Sequence, residues 1–389
     1  MSHTIKINYY DQFKCIADKC PLSCCQEWRI AVDDQTHEKW QGLTLQEGKE
    51  ERDTKEPLHL CKCVQSEENG YSMRLNQDKK CPLLNEDKLC KLVIELGEDY
   101  LSETCTTFPR QVNAFEDRIE YSLASCCPAV VDLLNEVEGK LEFDQQGQDK
   151  SSNDILMAVR DMLMVIMAEE GYSIPERFMM SFYALLDLQT KKKLNQQQVK
   201  AHATAQYLKP IAEAIQKMNF DAMDSFFERN ELFLDVVENY RKQQLYVGYI
   251  EEISVLAESI EEKYSDEALL EKLERFEEQL ASYEKLLTKY LVAELFGNAL
   301  MEDMSLEDLI IAFEWITLEY SVIKQGIFLK WLLEESSEIT YTMVRDYMTV
   351  MARITGYDHS DIKEYLENSF ESVIWEWGYL ALVVGHEKI

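Results

Sequence analysis

Eleven cysteines carry the chemical signal of this sequence: Cys15, Cys20, Cys24, Cys25, Cys61, Cys63, Cys81, Cys90, Cys105, Cys126 and Cys127, with none in the 262 residues that follow. Three clusters stand out: Cys15-x4-Cys20-x3-Cys24-Cys25; Cys81-Pro82-Leu83-Leu84 with Cys90 and Cys105; and Cys126-Cys127-Pro128. Thiolate is the soft ligand that zinc, copper(I) and iron–sulfur clusters prefer. Four thiolates complete a tetrahedral zinc or a four-iron cluster, so this number allows two sites, or one site plus structural cysteines. Disulfides are disfavoured by the odd count and by adjacent pairs such as Cys24–Cys25, which do not readily bridge to each other. Cys61-x-Cys63 has a single spacer, tight for two ligands of one ion, and is set aside. No histidine joins the clusters; the nearest, His59, sits beside the pair set aside. All-thiolate ligation suits iron–sulfur and zinc alike, and both stay open on the residues alone.

These thiols need short elements and loops to position them, and composition shows where that region ends. Five of seven prolines fall at or before Pro128; residues 1–130 carry a net charge of −7 and residues 131–389 a net charge of −25. The shift predicts a cysteine-rich metal-binding module over 1–140 and a helical domain over 150–389. Within the first, Lys91–Glu95 and Ala129–Glu136 read as short helices and Ser72–Asn76 as a short strand. A polar linker, Asp144–Asn153, ends in good N-cap residues for a helix starting near Asp154. Beyond it the pattern is helical. Leu269, Leu273, Phe276, Leu280, Tyr283, Leu287 and Tyr290 recur in steps of three and four, predicting one face of a single helix. Ser305 with Asp308, and Asp358 with Asp361, read as helix starts. Roughly eight to ten helices are expected after residue 150. Lys191–Lys193 reads as an exposed loop or helix end. The fold class is mainly α: irregular loops around a metal, then an irregular helical bundle.

Charge and patterning exclude some functions. The formal net charge is −32, which repels nucleic acid backbones and anionic membranes and favours basic partners or lysine-bearing substrates. Met1–Tyr10 holds no apolar signal core and no run reaches the ~18 apolar residues of a membrane span. A cytoplasmic location, where thiols stay reduced, is therefore expected. A radical S-adenosylmethionine enzyme of the usual kind needs Cys-x3-Cys-x2-Cys; after Cys20-x3-Cys24 the third position is Glu27. No glycine-rich strand–turn–helix loop of the type that holds an adenosine cofactor on a parallel sheet is present.

The segments Phe13-Lys14-Cys15…Cys20…Cys24-Cys25-Gln26-Glu27-Trp28-Arg29-Ile30, Cys81-Pro82-Leu83-Leu84…Cys90, Leu96-Gly97-Glu98, Cys105…Phe108-Pro109-Arg110 and Ser122-Leu123…Ser125-Cys126-Cys127-Pro128 resemble the flagellin lysine N-methylase family. Glu284-Lys285-Leu286-Leu287…Phe296-Gly297-Asn298 is similar to its helical part. The Cys-Pro-x-Leu…Cys portion is shared with a wider zinc- or iron-chelating cysteine-cluster family. The resemblance implies methyl transfer from S-adenosylmethionine to lysine side chains of flagellin, in an enzyme with an iron–sulfur cluster, of the 4Fe-4S type, with zinc as the alternative. It gives Cys15, Cys20, Cys24, Cys25, Cys81, Cys90, Cys105 and Cys127 as ligand candidates, Cys127 rather than Cys126 by its place before proline. For the cofactor, Arg110 is placed to hold a carboxylate through a bidentate contact, against the plainer reading of a salt bridge. Trp28 is placed to stack on adenine, against the plainer reading of shielding the metal. A different class of function fits the same cysteines: a non-enzymatic, metal-stabilised adaptor that docks a basic partner protein.

Overall fold

The computed structural model describes residues 3–46, 57–67, 70–147 and 154–385. Helix accounts for 59% of it, so the chain is mainly α. Two compact units are distinguished. One holds Lys14–Arg110 with Cys127–Ala129; the other holds Met1–Phe13, Gln111–Cys126 and Val130–Ile389.

The cysteine-rich unit contains more regular structure than loops alone. Gly70–Met73 is the middle strand of a three-stranded antiparallel sheet, flanked by Ala31–Val32 and Val64–Glu67. Thr44–Leu45 and Leu58–His59 form a second, two-stranded ladder. Asp33 caps the helix Asp34–Lys39 by accepting the Thr36 N–H (2.8 Å). Ile30, Val32, Trp40, Leu60, Met73 and Leu92 are among the side chains of its core, and the Trp40 indole donates to the Tyr100 carbonyl (2.9 Å). The expected strand near Ser72 and the helix from Lys91 are present, the latter as Lys91–Leu96.

The helical unit opens with a sheet. His3–Ile7 alternates buried and half-buried side chains, the period-2 pattern of a strand with one covered face. It pairs in parallel with Arg118–Leu123 and antiparallel with Phe143–Gln146; Arg110–Ala114 completes the order beyond Arg118–Leu123. The segment read as a linker from Asp144 therefore begins as a strand, because its backbone finds a partner in His3–Ile7; its residues 148–153 lie outside the described ones. Asp154 caps the helix Ile155–Met167, accepting the Leu156 N–H at 2.8 Å.

At the centre runs the helix Leu306–Leu333, 28 residues long, whose side chains are buried on nearly every side. A capping box of Ser305 and Asp308 starts it. Gly326 lets the helix Tyr341–Ile354 approach, since a Cβ there would lie 2.8 Å from Tyr347 Cδ1. The single helix expected through Leu269–Tyr290 is two helices, Asp266–Leu280 and Glu284–Asn298, joined by a 3-10 turn at Ala281–Tyr283. The first buries one stripe and the second is buried almost all round, so the turn re-aims the chain from surface to core. Thirteen α-helices follow residue 150 among the described residues; pieces as short as Ile260–Lys263 have too few turns for periodicity to reveal. Lys191–Lys193 is an exposed loop, as expected. No helix among the described residues is long and apolar enough to cross a membrane.

Candidate functional site

Local hydrogen bonds fold the cysteine segments towards one another. The Cys81 N–H donates to the Cys25 carbonyl (2.8 Å), and the Leu84 N–H turns back to the Cys81 carbonyl (3.0 Å). Leu84 and Cys90 then form an isolated antiparallel bridge. Ser102 caps the helix Glu103–Thr107, its hydroxyl accepting the Cys105 N–H at 3.2 Å, which fixes where Cys105 starts. Burial pushes the Cys81 thiol up to about 12, with further repulsion from Cys105, Cys90 and Cys63. Burial also raises the Cys105 thiol, against a hydrogen bond from Ser102 and with repulsion from Cys24 and Cys90. Cys105 is exposed as a residue, though its thiol is partly desolvated. Such repulsion weakens with distance, so it links Cys81 with Cys90, Cys105 and Cys63, and Cys105 with Cys24 and Cys90. Cys63, set aside on spacing, is a buried core residue whose thiol burial lifts to about 11.

The other ligand candidates have these surroundings. Cys15 is exposed and its sulfur accepts the Ala17 N–H (3.4 Å). The Cys20 thiol donates to the Leu22 carbonyl (3.1 Å). Cys25 is half-buried against the unit's core, and Cys127 is buried at the head of the helix Pro128–Glu136. Among the described residues no group of three or more His, Cys, Asp or Glu side chains is gathered closely enough to hold a metal ion as it stands. The Trp28 indole donates to the Cys24 carbonyl and its ring tilts against Phe108, centroids 5.2 Å apart. Arg110 is exposed at the start of its strand.

A second arrangement lies within the helical unit, in residues that sequence reasoning did not single out. On the helix Glu284–Asn298, Tyr290, Glu294 and Asn298 are spaced four apart and share a face. On Leu306–Leu333, Trp315 and Glu319 share another. Glu294, Asn298, Trp315 and Glu319, with Ser125 and Tyr357, line a cavity of about 330 Å³, and Tyr290 stands behind Glu319. The Tyr290 hydroxyl donates to Glu319 Oε1, Thr355 reaches Glu319 Oε2, and Asn298 Nδ2 donates to Glu294 Oε2. The Thr355 hydroxyl has one proton but faces two acceptors, Glu319 and the Met351 carbonyl (2.8 Å). Its single proton is therefore shared between the Glu319 carboxylate and that carbonyl. Burial raises the Glu294 carboxyl to about 8, helped by the charge of Glu319 and opposed by Ser125 and Asn298. Burial raises Glu319 as well, against hydrogen bonds from Thr355 and Tyr290. The Ser125 hydroxyl is buried beside Glu294, close enough to oppose the rise of that carboxyl. Among the described residues neither carboxylate has a lysine or arginine partner.

The sequence did hold a signal for this pair: single acids inside otherwise apolar helical runs, Leu291-Val292-Ala293-Glu294-Leu295-Phe296 and Ile316-Thr317-Leu318-Glu319-Tyr320. A larger cavity of about 630 Å³ is walled in part by Arg118, Arg160, Arg177 and Lys289. These cations are engaged by Glu120, by Glu284 and by the Asn135 and Val137 carbonyls, so it offers less chemistry.

The family model described as the FliB lysine N-methylase C-terminal domain matches residues 160–383, more than half of the chain. The chain belongs to the FliB lysine N-methylase family. The family resemblance read from the cysteine segments is thereby borne out. A flagellar biosynthetic protein FliU of Salmonella muenchen is 29% identical over 129 residues, 33% of this chain and 75% of that protein. A lysine-N-methylase of Salmonella typhimurium is 28% identical over 133 residues, and one of Salmonella choleraesuis 28% over 130. In both cases the match spans 33% of this FliB-family chain and 31% of the relative's length. No solved structure matches.

Proposed function

We propose that this chain is a protein-lysine N-methyltransferase that moves a methyl group from S-adenosylmethionine to lysine side chains of flagellin. The observation that carries the reading is the FliB family match over residues 160–383, which includes both helices bearing the buried carboxylates. The names of the relatives, a flagellar biosynthetic protein and lysine-N-methylases, support a flagellar protein as acceptor. A net charge of −32 suits a lysine-bearing surface. In the reaction the neutral amine attacks the methyl carbon, the carbon–sulfur bond breaks with its electron pair going to sulfur, and the product is an N-methylammonium.

The donor chemistry of the cysteine-rich unit fits an iron–sulfur cluster. Cys81 feels repulsion from Cys90 and Cys105, and Cys105 from Cys24 and Cys90, so these four thiols belong to one neighbourhood. A metal centre removes that repulsion by neutralising the thiolates, provided the side chains close in. Held by these four, a cluster would cross-link the three segments that carry them. Zinc fits the same donors. Trp28 and Arg110 are the proposed cofactor contacts, through ring stacking and a guanidinium–carboxylate pair.

The experiment is incubation of metal-replete protein, purified without oxygen, with methyl-labelled S-adenosylmethionine and flagellin. Label on flagellin lysines is expected. No transfer from metal-replete protein would overturn the enzyme reading and leave the adaptor reading in its place.

A further inference from the structure

We propose that the cavity lined by Glu294, Glu319 and Ser125 is a binding site for a primary alkylammonium ion, with the carboxylate pair as the acceptor of its proton. This rests on the methylase reading only for the identity of the amine, which would be the ε-ammonium of the acceptor lysine.

Two acids in one buried place, without a cationic partner, need a reason. Burying carboxylates costs stability unless a cation or hydrogen bonds compensate. Here Tyr290, Thr355 and Asn298 reach three of the four carboxylate oxygens, and the nearest further donor to Glu294 is the Ser125 hydroxyl. A second feature points to a ligand with donors: Ser125 Oγ lines the cavity, is fully buried and has no hydrogen-bond partner. An ammonium group brings three N–H donors and no acceptor. The cavity offers it matching groups in Glu294 Oε1, Ser125 Oγ and the charge of the pair. The rest of the wall suits a methylene stem, with Met301, Met304, Trp315 and Ile316. The Trp315 indole N–H is already held by the Thr355 carbonyl (2.8 Å), so the ring contributes as an apolar wall.

The titratable groups facing the pair are Tyr290 and Cys126, with Tyr357 and His359 also lining the cavity. His359 is held by Asp308 at 2.9 Å, and the Tyr290 hydroxyl by Glu319. The carboxylates are therefore the groups that respond to an incoming cation. The step is simple to balance: the ammonium docks against an ionised carboxylate, one N–H proton moves to a carboxylate oxygen, and a neutral amine with its lone pair remains. A quaternary ammonium has no N–H to donate, so the site prefers the unmethylated amine.

The test is calorimetric titration of the full chain with n-butylamine at pH 7, in buffers of different ionisation enthalpy, and with n-butyltrimethylammonium for comparison. Saturable n-butylamine binding is expected, with proton release to the buffer and weaker binding of the quaternary ion. Glu294→Gln and Glu319→Gln should each weaken binding about tenfold or more, the loss expected for a charged hydrogen-bonded contact. A double surface variant, Glu271→Gln with Glu278→Gln, should bind as the parent does and so controls for general attraction to an acidic protein. Ser125→Ala gives a milder readout, a few-fold loss, should either Gln variant fail to fold. Parent-like affinity in these cavity variants, or no saturable binding by the parent, overturns the site. The two readings separate cleanly. Flagellin methylation with unchanged kcat/KM and pH profile in both Gln variants sinks the ammonium site and leaves the methylase. Glu-dependent butylamine binding without any labelled flagellin does the reverse.

Discussion

Glu294→Gln should make the protein more stable, and more so at high pH. The Glu294 carboxyl is about 8 in the folded chain against an ordinary 4.5, chiefly because it is buried. Between those values the folded state binds more protons than the unfolded chain, so stability falls as pH rises, by about 1.36 kcal/mol per pH unit. The contribution is fully present below 4.5 and lost on passing through 8. At pH 7.5 the cost of keeping Glu294 buried therefore reaches about 4 kcal/mol, an upper figure because Glu319 shares the titration. The neutral amide of Gln removes that cost, and a gain of roughly 2–4 kcal/mol is expected at pH 7.5, shrinking towards zero at pH 5. Urea unfolding at pH 5, 6, 7 and 8.5 measures it through the denaturation midpoint at constant slope. Glu314, buried, raised to about 8 and accepting the Trp375 N–H at 2.7 Å, remains in the variant and leaves a residual pH dependence. A Glu294→Gln variant whose stability tracks the parent at every pH would refute the reasoning, because the carboxyl would then ionise in the fold as it does in water. Stabilisation coupled to lost amine binding would mark Glu294 as a residue kept for function at the expense of the fold.

Cys24→Ser, Cys81→Ser, Cys90→Ser and Cys105→Ser should each lower iron and acid-labile sulfide, or zinc, by half or more in anaerobically purified protein, whereas Cys61→Ser should keep the parent's content; metal analysis with the visible spectrum decides. Arg110→Ala should weaken S-adenosylmethionine binding while metal content stays unchanged, and unaltered cofactor affinity would remove Arg110 from the site. Gly297→Ala places a Cβ 2.9 Å from Ser122 Oγ and 3.2 Å from Gln111 Oε1; a loss of about 1–3 kcal/mol is expected, partly recovered by adding Ser122→Gly, as a double-mutant cycle would read. Arg160 meets both oxygens of Glu120 at 2.5 and 2.8 Å in the buried interior. Arg160→Met should cost about 3 kcal/mol by leaving that charge with Arg118 alone, and Arg160→Met with Glu120→Leu should recover much of it.

What the sequence made legible was local. Asp154 and Ser305 declared their helices because an N-cap acts over three residues. The cysteines declared themselves by type and crowding, and the Lys191–Lys193 loop by charge. Distant pairings did not show. The parallel pairing of His3–Ile7 with Arg118–Leu123 assigns the first strand to the helical unit, which a shift of composition near residue 130 has no means of revealing. Cys63, set aside on its spacing to Cys61, feels the charge of Cys61 and also acts on Cys81, a link that spacing along the chain has no means of showing. Glu294 and Glu319 each show in the sequence as a single acid in an apolar run, but their pairing does not, for a related reason. Each looks like an ordinary helical acid until the helices that carry them are packed, and only then do the two share one cavity with nothing positive beside them.

The first strand's pairing also bears on how the chain reaches its fold. His3 meets Arg118, so the pairing closes a loop of about 115 residues, and an unstructured loop of that length costs on the order of 4 kcal/mol in closure entropy. Lys14–Arg110, most of that loop, is itself a compact unit. A fold of that segment with its two ends close would shorten the effective tether, and each halving of the tether returns about 0.6 kcal/mol. Stabilising the cysteine-rich unit would then also favour a sheet to which it contributes only Arg110. A chain cut at residue 140 loses Glu120 from beneath Arg160 and both Gln111 and Asn113 from the end of the helix Glu284–Asn298. The helical unit is therefore not the C-terminal half of the chain but a structure whose opening lines are written before the cysteines begin.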